Sequence, residues 1–227
     1  MKTINDAIKA EIRNMPPENG RKPIPDGITN TDLYTQAPQK ILFILKEAYD
    51  EKDGNKGMGG WDHDNLLSNL TYTDLKRKST YRRVSKLTSC ILRKSSFSEF
   101  LNAKYSEEEI MKDFRSIAWI NVGKYPAPKG TTTKDSRLKQ AYNFWEPILL
   151  KQISSYKPDI IIFGRTFPFF KEDLIDMFEI QEVISSWIYK DKFNRLYIAT
   201  SHPSNRISDQ EYIDSIVNAI NEAILKS

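Results

Sequence analysis

The chain has 227 residues, of which 39% are hydrophobic and 28% charged, a balance that suits one domain with a real core and a well-solvated surface. Its 34 basic and 30 acidic residues leave a net charge of +4, too mild to mark a nucleic-acid binder by itself. No apolar run approaches the ~18 residues that a membrane span needs. One cysteine, Cys90, excludes an internal disulfide and any cysteine-clustered metal site, and a cytoplasmic location is the default expectation.

Met1 to Asn14 spaces Ile4, Ala7, Ile8 and Ile12 as an amphipathic helix. With Asp6 and Glu11 inside that spacing it is not expected to be a secretory signal. Met15 to Pro38 holds five of the eleven prolines plus Asn-Gly and Asp-Gly pairs, and reads as an extended connector. Residues 1–38 are thus expected to lead into a single domain spanning 1–227. Ile41-Leu42-Phe43-Ile44-Leu45 is a continuous apolar run of strand length, the pattern of a strand buried on both faces. Glu47 to Asp64 reads as a loop, and Ser79 to Leu92 and Glu107 to Phe114 as helices. Ile117 to Val122 is the next buried strand, ending in Gly123-Lys124, followed by a loop from Tyr125 to Thr133. Ser136 to Ser155 is a long helix that buries Leu138, Ala141, Tyr142, Trp145, Ile148 and Leu149. Ile160 to Phe163 is a third strand, Phe167 to Phe178 mostly helical, and Leu196 to Thr200 a fourth strand. Asp209 to Leu225 closes the chain as a helix with Ile213, Ile216, Val217, Ile220 and Ile224 inward. Strands alternating with helices predict a three-layer α/β/α sandwich around a mainly parallel sheet of about four strands.

In such sheets ligands bind at the carboxyl edge of the strands. The loops that meet there carry Lys46, Glu47, Tyr49 and Asp50, then Asn121 and Lys124, then Arg165, then His202 and Ser204. A carboxylate, an amide and an imidazole on separate loops form an odd set for mere helix caps, although Asn, Asp and Ser favour caps and turns on their own. His202 is one of two histidines. The other, His63, lies in Asp62-His63-Asp64, and three adjacent residues rarely converge on one ion, so a solvated loop and no metal are expected there. Between Lys76 and Lys94 eight cations fall in nineteen residues, including Arg82 and Arg83. Such a cluster suits phosphate contacts or a solvated helix face. No P-loop, dinucleotide fingerprint or nucleophile elbow is present, and no cofactor is expected.

The ordered set of strand ends resembles the uracil-DNA glycosylase superfamily, most closely the bacterial and archaeal class that usually carries an iron–sulfur cluster. That class has Gly-Glu-Ala-Pro-Gly after the first strand, with a Glu-Asp pair and a further glycine beyond. Here Lys46-Glu47-Ala48-Tyr49-Asp50 stands in that place, with Asp53-Gly54 and Gly57 following. The next strand of the family ends in Asn-Val-Val-Lys-Cys before a proline-bearing loop, matched by Asn121-Val122-Gly123-Lys124-Tyr125-Pro126. Lys157-Pro158, Gly164 and His202-Pro203-Ser204 complete the order, and the likeness spans roughly residues 22 to 224. It implies flipping of a damaged nucleotide and cleavage of its base–sugar bond in DNA containing uracil or another deaminated base. By resemblance, Asn121 reads the pyrimidine edge and His202 donates to uracil O2. Glu47, or Asp50, orients water; Ser204 and Lys124 hold phosphates; and Arg206 or Ile207 fills the gap left by the flipped base. Tyr49 matches a tyrosine in another branch of the superfamily, and Trp61 is the candidate for stacking on the base. The cluster cysteines are missing, so no iron–sulfur cluster is expected. Lys46, Tyr49 and Asp50 depart from the motif's glycines and proline. These departures favour the alternative of a glycosylase-fold protein without catalysis that binds nucleic acid or a nucleotide.

Overall fold

A computed structural model describes residues 1–49, 58–127, 133–183 and 185–225, and at Tyr49 the backbone alone. The elements run α1 (Lys2–Arg13), β1 (Gly27–Ile28), α2 (Thr31–Gln36), β2 (Ile41–Tyr49), α3 (His63–Asn69), α4 (Tyr72–Arg77) and α5 (Ser79–Arg93). They continue with α6 (Phe97–Asn102), α7 (Glu107–Arg115), β3 (Ala118–Ala127), α8 (Asp135–Tyr156), β4 (Ile160–Gly164) and α9 (Phe167–Phe178). The last are β5 (Gln181–Glu182), β6 (Ile188–Lys190), β7 (Leu196–Thr200) and α10 (Asp209–Leu225).

The fold is α/β, but the expectation of about four mainly parallel strands needs correcting: the sheet is mixed and has seven strands in the order β1-β3-β2-β4-β7-β6-β5. β3, β2, β4 and β7 pair in parallel, while β1, β6 and β5 add antiparallel edges. The edge strands are two or three residues long, too short for any hydrophobic period to announce them.

Side chains alternate across the sheet. Ile41, Phe43 and Leu45 join one buried cluster with residues of α5, α7 and α10, while Leu42 and Ile44 join a second with residues of α1, α8 and α9. That two-sided burial is why β2 reads as an unbroken apolar run. β2 and β3 also extend past their apolar stretches, through Glu47 and Tyr125, because ladder pairing continues from Glu47 opposite Gly123 to Tyr49 opposite Ala127. Capping boxes at Thr71/Asp74, Ser96/Glu99 and Ser106/Glu109 start α4, α6 and α7. In α10 the outermost expected core residue, Ile224, is 45% exposed, while its neighbour Ala223 is the last residue of the packed face.

The stretch from Met15 to Pro38 is more than an extended connector. It supplies β1 and α2, and its backbone braces the sheet edge through Ile24 N–H to the Lys124 carbonyl (2.7 Å) and Thr29 N–H to the Ile117 carbonyl (3.0 Å). Gly27 is required at its position: a Cβ there would lie 2.4 Å from Asn5 Oδ1 and 2.6 Å from the Tyr156 hydroxyl. Asn5 Oδ1 accepts from Ile28 N–H and from Tyr156, so α1, β1 and α8 are knotted at this point.

Candidate functional site

At the carboxyl edge of the parallel strands lies a cleft of about 830 Å³ lined by Glu47 from β2, Asn121 from β3 and His202 from the loop after β7. The three are 74 and 81 residues apart in sequence, and the parallel register brings them together: Leu45 pairs with Asn121, Phe163 with Ala199 and Gly164 with Thr200. Gly164 makes the approach of the last loop possible. A Cβ at that position would sit 2.4 Å from Leu45 Cδ2 and 3.1 Å from Pro203 Cδ, so a side chain there would displace the segment that carries His202.

The cleft has an aromatic wall that runs from ring to ring. Trp61 lies 5.9 Å from His63, His63 lies 5.5 Å from Trp119, and Tyr81 meets Trp119 edge-on at 5.8 Å. Trp61 lines the cleft, and its buried indole N–H finds no acceptor among the described residues. His63 is not in a solvated loop. It begins α3, is 4% exposed, and its backbone N–H donates to the Pro25 carbonyl at 2.8 Å. Burial pushes its imidazole down to about 4, so the ring is neutral at pH 7. No group of three or more His, Cys, Asp or Glu residues suited to a metal occurs among the described residues.

Asn121 is 3% exposed and held from two sides. Its backbone N–H donates to Asp26 Oδ2 at 2.7 Å, and its side-chain Oδ1 accepts from Trp119 Nε1 at 3.3 Å. An indole N–H can only donate, so this contact turns the carboxamide oxygen toward Trp119 and fixes which way the amide points. Oδ1 retains a second lone pair, and Nδ2 keeps its two donors.

Asp26 also explains the fate of Lys124. The lysine side chain is fully buried, with Nζ 2.6 Å from Asp26 Oδ1 and 2.9 Å from Gln152 Oε1. Gln152 Nε2 donates in turn to Asp26 Oδ1 at 3.0 Å. Burial lowers the lysine's pKa against the pull of Asp26. The expectation that Lys124 holds a backbone phosphate is therefore overturned: its ammonium is enclosed in a network that anchors Asn121.

His202 is presented in one defined tautomer. Ser204 N–H donates to its Nδ1 at 3.2 Å, with the Ser204 hydroxyl 2.8 Å from the same nitrogen, so Nδ1 is the acceptor and Nε2 carries the proton. Burial, reinforced by the nearby Lys46 charge, lowers its pKa to about 4. Ser204 thus orients the imidazole, and its hydroxyl is engaged rather than offered to a phosphate. Glu47 has the opposite perturbation: burial raises its pKa to about 7 against the pull of Lys46 and Arg137, and both carboxyl oxygens are buried without a partner among the described residues. A carboxyl poised between its two forms at neutral pH suits general-base work.

The basic cluster divides in two. Arg83 is 5% exposed and donates to Asp209 Oδ1 at 3.0 Å, to the Ile207 carbonyl at 2.7 Å and to Asn205 Oδ1 at 2.5 Å. Its guanidinium is a clamp on the loop after His202, not a phosphate ligand, because every face of its fork is already used. Arg82 and Lys86 approach the same Asp209 at 3.6 and 2.8 Å, and Arg93 pairs with Asp113. This partly corrects the expected phosphate role of Arg82, whose charge is shared with that acid. Only Arg77 and Lys78 of the cluster reach the cleft lining, while Arg206 is exposed in the same loop as His202. Asp50, Asp53, Gly54 and Gly57 lie outside the described residues, as does the Tyr49 side chain.

The residues that sequence reasoning missed are His63, Trp119, Tyr81 and Asp26. Trp119 stands two positions before Asn121 on the same strand, so the period of a strand puts both on one face. No local signal marks Asp26. Among the described residues no helix is long and apolar enough to cross a membrane. No protein-family model matches this chain, and no curated protein matches it either.

Proposed function

We propose that this chain is a uracil-DNA glycosylase-like hydrolase that cleaves the N-glycosidic bond of uracil or a related deaminated base in DNA. The observation that carries the reading is the meeting of Glu47, Asn121 and His202, from three separate strand ends, around one aromatic-walled cleft. The central parallel strands β3-β2-β4-β7, with helices on both faces, agree with the sandwich of that superfamily.

In this reading a flipped base enters the cleft and lies against the aromatic wall, with Trp61 as the stacking face. The fixed carboxamide of Asn121 accepts from uracil N3–H through Oδ1 and donates to O4 through Nδ2. His202, neutral and protonated on Nε2, donates to O2. As the C1′–N1 bond breaks, its electron pair moves onto the base, and a donor already aimed at O2 stabilises that charge without reorganisation. Water adds to C1′ and gives its proton to Glu47, leaving free base and an abasic sugar. In this reading Arg206, Arg77 and Lys78 meet the phosphates.

The residues do not fit the cluster of the class that the sequence resembles most. Cys90 is fully buried in the core. Tyr125, at the position of a cluster cysteine, donates its hydroxyl to the Pro16 carbonyl at 2.5 Å and packs its ring 5.4 Å from Trp145.

Release of uracil from single- and double-stranded oligonucleotides tests the proposal. Release that Asn121→Asp abolishes is the expected result. No release of any deaminated base by the wild type would refute catalysis and leave a nucleic-acid-binding module of the same fold.

A further inference from the structure

A second concavity, of about 530 Å³, opens on the other side of Glu47, and among the described residues Glu47 alone lines both. Its long wall is the first half of α8. Arg137, Ala141 and Phe144 fall at i, i+4 and i+7, a single helical stripe facing the hollow. Phe144 is 51% exposed, yet its ring is held in place, edge-on to Trp145 at 5.0 Å and 6.4 Å from Tyr125. Arg137 is exposed and makes no salt bridge among the described residues. Across the hollow, Glu18 and Arg21 offset each other in charge, and Arg137 faces the Glu47 carboxyl of the same lining only through its field, so its guanidinium stays exposed at the mouth. Thr133 at the same lining is 9% exposed, and its buried hydroxyl has no partner among the described residues.

A rigid, half-exposed aromatic face beside an exposed guanidinium that makes no salt bridge is the arrangement that holds an unpaired nucleotide: the base stacks on the ring and the phosphate meets the cation. We infer that this concavity receives the nucleotide next to the target on the same DNA strand, with its base on Phe144 and its phosphate toward Arg137. The inference rests on the glycosylase reading, which places the target sugar over Glu47, the wall between the two hollows. A base lying on Phe144 has left its partner strand, so the site selects single-stranded substrate.

The test uses a fluorescein-labelled single-stranded DNA oligonucleotide in which a tetrahydrofuran abasic analogue replaces the target, so that no base enters the first cleft. Binding is followed by anisotropy, with thermal unfolding of each variant in parallel. Phe144→Ala weakens binding about tenfold, and Phe144→Tyr, which keeps a stacking face, binds as the wild type does. Arg137→Glu weakens binding and flattens its salt dependence. Binding to the same sequence as a duplex is unchanged by Phe144→Ala. Wild-type single-strand affinity in Phe144→Ala, or equal losses in the Ala and Tyr variants, overturns the stacking site. A loss seen with the matching RNA oligonucleotide but not with DNA overturns the assignment to DNA. Uracil release is scored separately: release with Phe144-independent binding overturns this inference alone, and Phe144-dependent binding without release overturns the glycosylase reading alone.

Discussion

Glu47→Gln separates the burden that a buried carboxylate places on the fold from the work proposed for it. Burial raises the carboxyl's pKa from the ordinary 4.5 to about 7. A tenfold change in an ionisation constant is about 1.4 kcal/mol, so keeping the ionised form inside the fold costs on the order of 3 kcal/mol. The sign follows from which state ionises first. Below about pH 4.5 the carboxyl is neutral in both folded and unfolded chains, and the burden vanishes. Between about 4.5 and 7 the unfolded chain ionises while the folded chain resists, so stability falls as pH rises; above 7 the full cost is present. A glutamine never ionises and keeps nearly the same shape. The stability difference between Glu47→Gln and the wild type should therefore grow by about 3 kcal/mol from pH 4.5 to pH 8, in favour of the variant. For a chain of this size that is a relative gain of roughly 6–12 °C in melting temperature. Urea or thermal unfolding at the two pH values measures it, and uracil release should be lost in the same variant. An unchanged difference between the two pH values would refute the claim that Glu47 is held in a desolvated site.

Lys124→Met leaves Asp26 buried without its counter-charge and should cost about 3–5 kcal/mol in urea unfolding, without altering the salt dependence of DNA binding. Adding Asp26→Asn should recover part of that loss, since a neutral amide is cheaper to bury than a lone carboxylate. Arg83→Ala should lower stability by roughly 3 kcal/mol and expose residues 201–208 to limited proteolysis, because the clamp on that loop is gone. His202→Ala should slow uracil release roughly 10²–10³-fold with base preference unchanged. In the wild type the rate should rise with pH through about 7 as Glu47 ionises, and the same limb should persist in His202→Ala, since the imidazole is already neutral above about pH 4.

The long elements were readable because each carries a strong period: the boundaries expected for α5, α8, α9 and α10 fall within a residue or two of those observed. Thr71-x-x-Asp74 and Ser96-x-x-Glu99 announce α4 and α6 in the sequence as well, but they precede helices of six residues, whose apolar period is too brief to notice without the capping signal. Glu47, Asn121 and His202 were legible because strand ends in a parallel sheet converge whatever lies between them. The cations were not. Whether Arg83 faces solvent or clamps a loop depends on Asp209 and on carbonyls more than 120 positions away, and whether Lys124 reaches a phosphate depends on Asp26. Charge in a sequence gives a sign. Only the fold says what has already neutralised it.

Asp26 belongs to the segment that looks most expendable, the proline-rich stretch ahead of the first long strand. A chain trimmed to begin near residue 38 would keep every long helix except α1 and all four central strands. It would also keep Lys124 in place with Gln152 but no counter-charge beside its ammonium, and Asn121 with a backbone N–H that has lost its acceptor. The backbone support of His63 and the Lys9 contacts to Asp62 and Asp64 would go with them. Shortening the protein from this end therefore dismantles the cleft from behind, and a trimmed chain that releases no uracil would report on its missing brace rather than on the role proposed for the cleft.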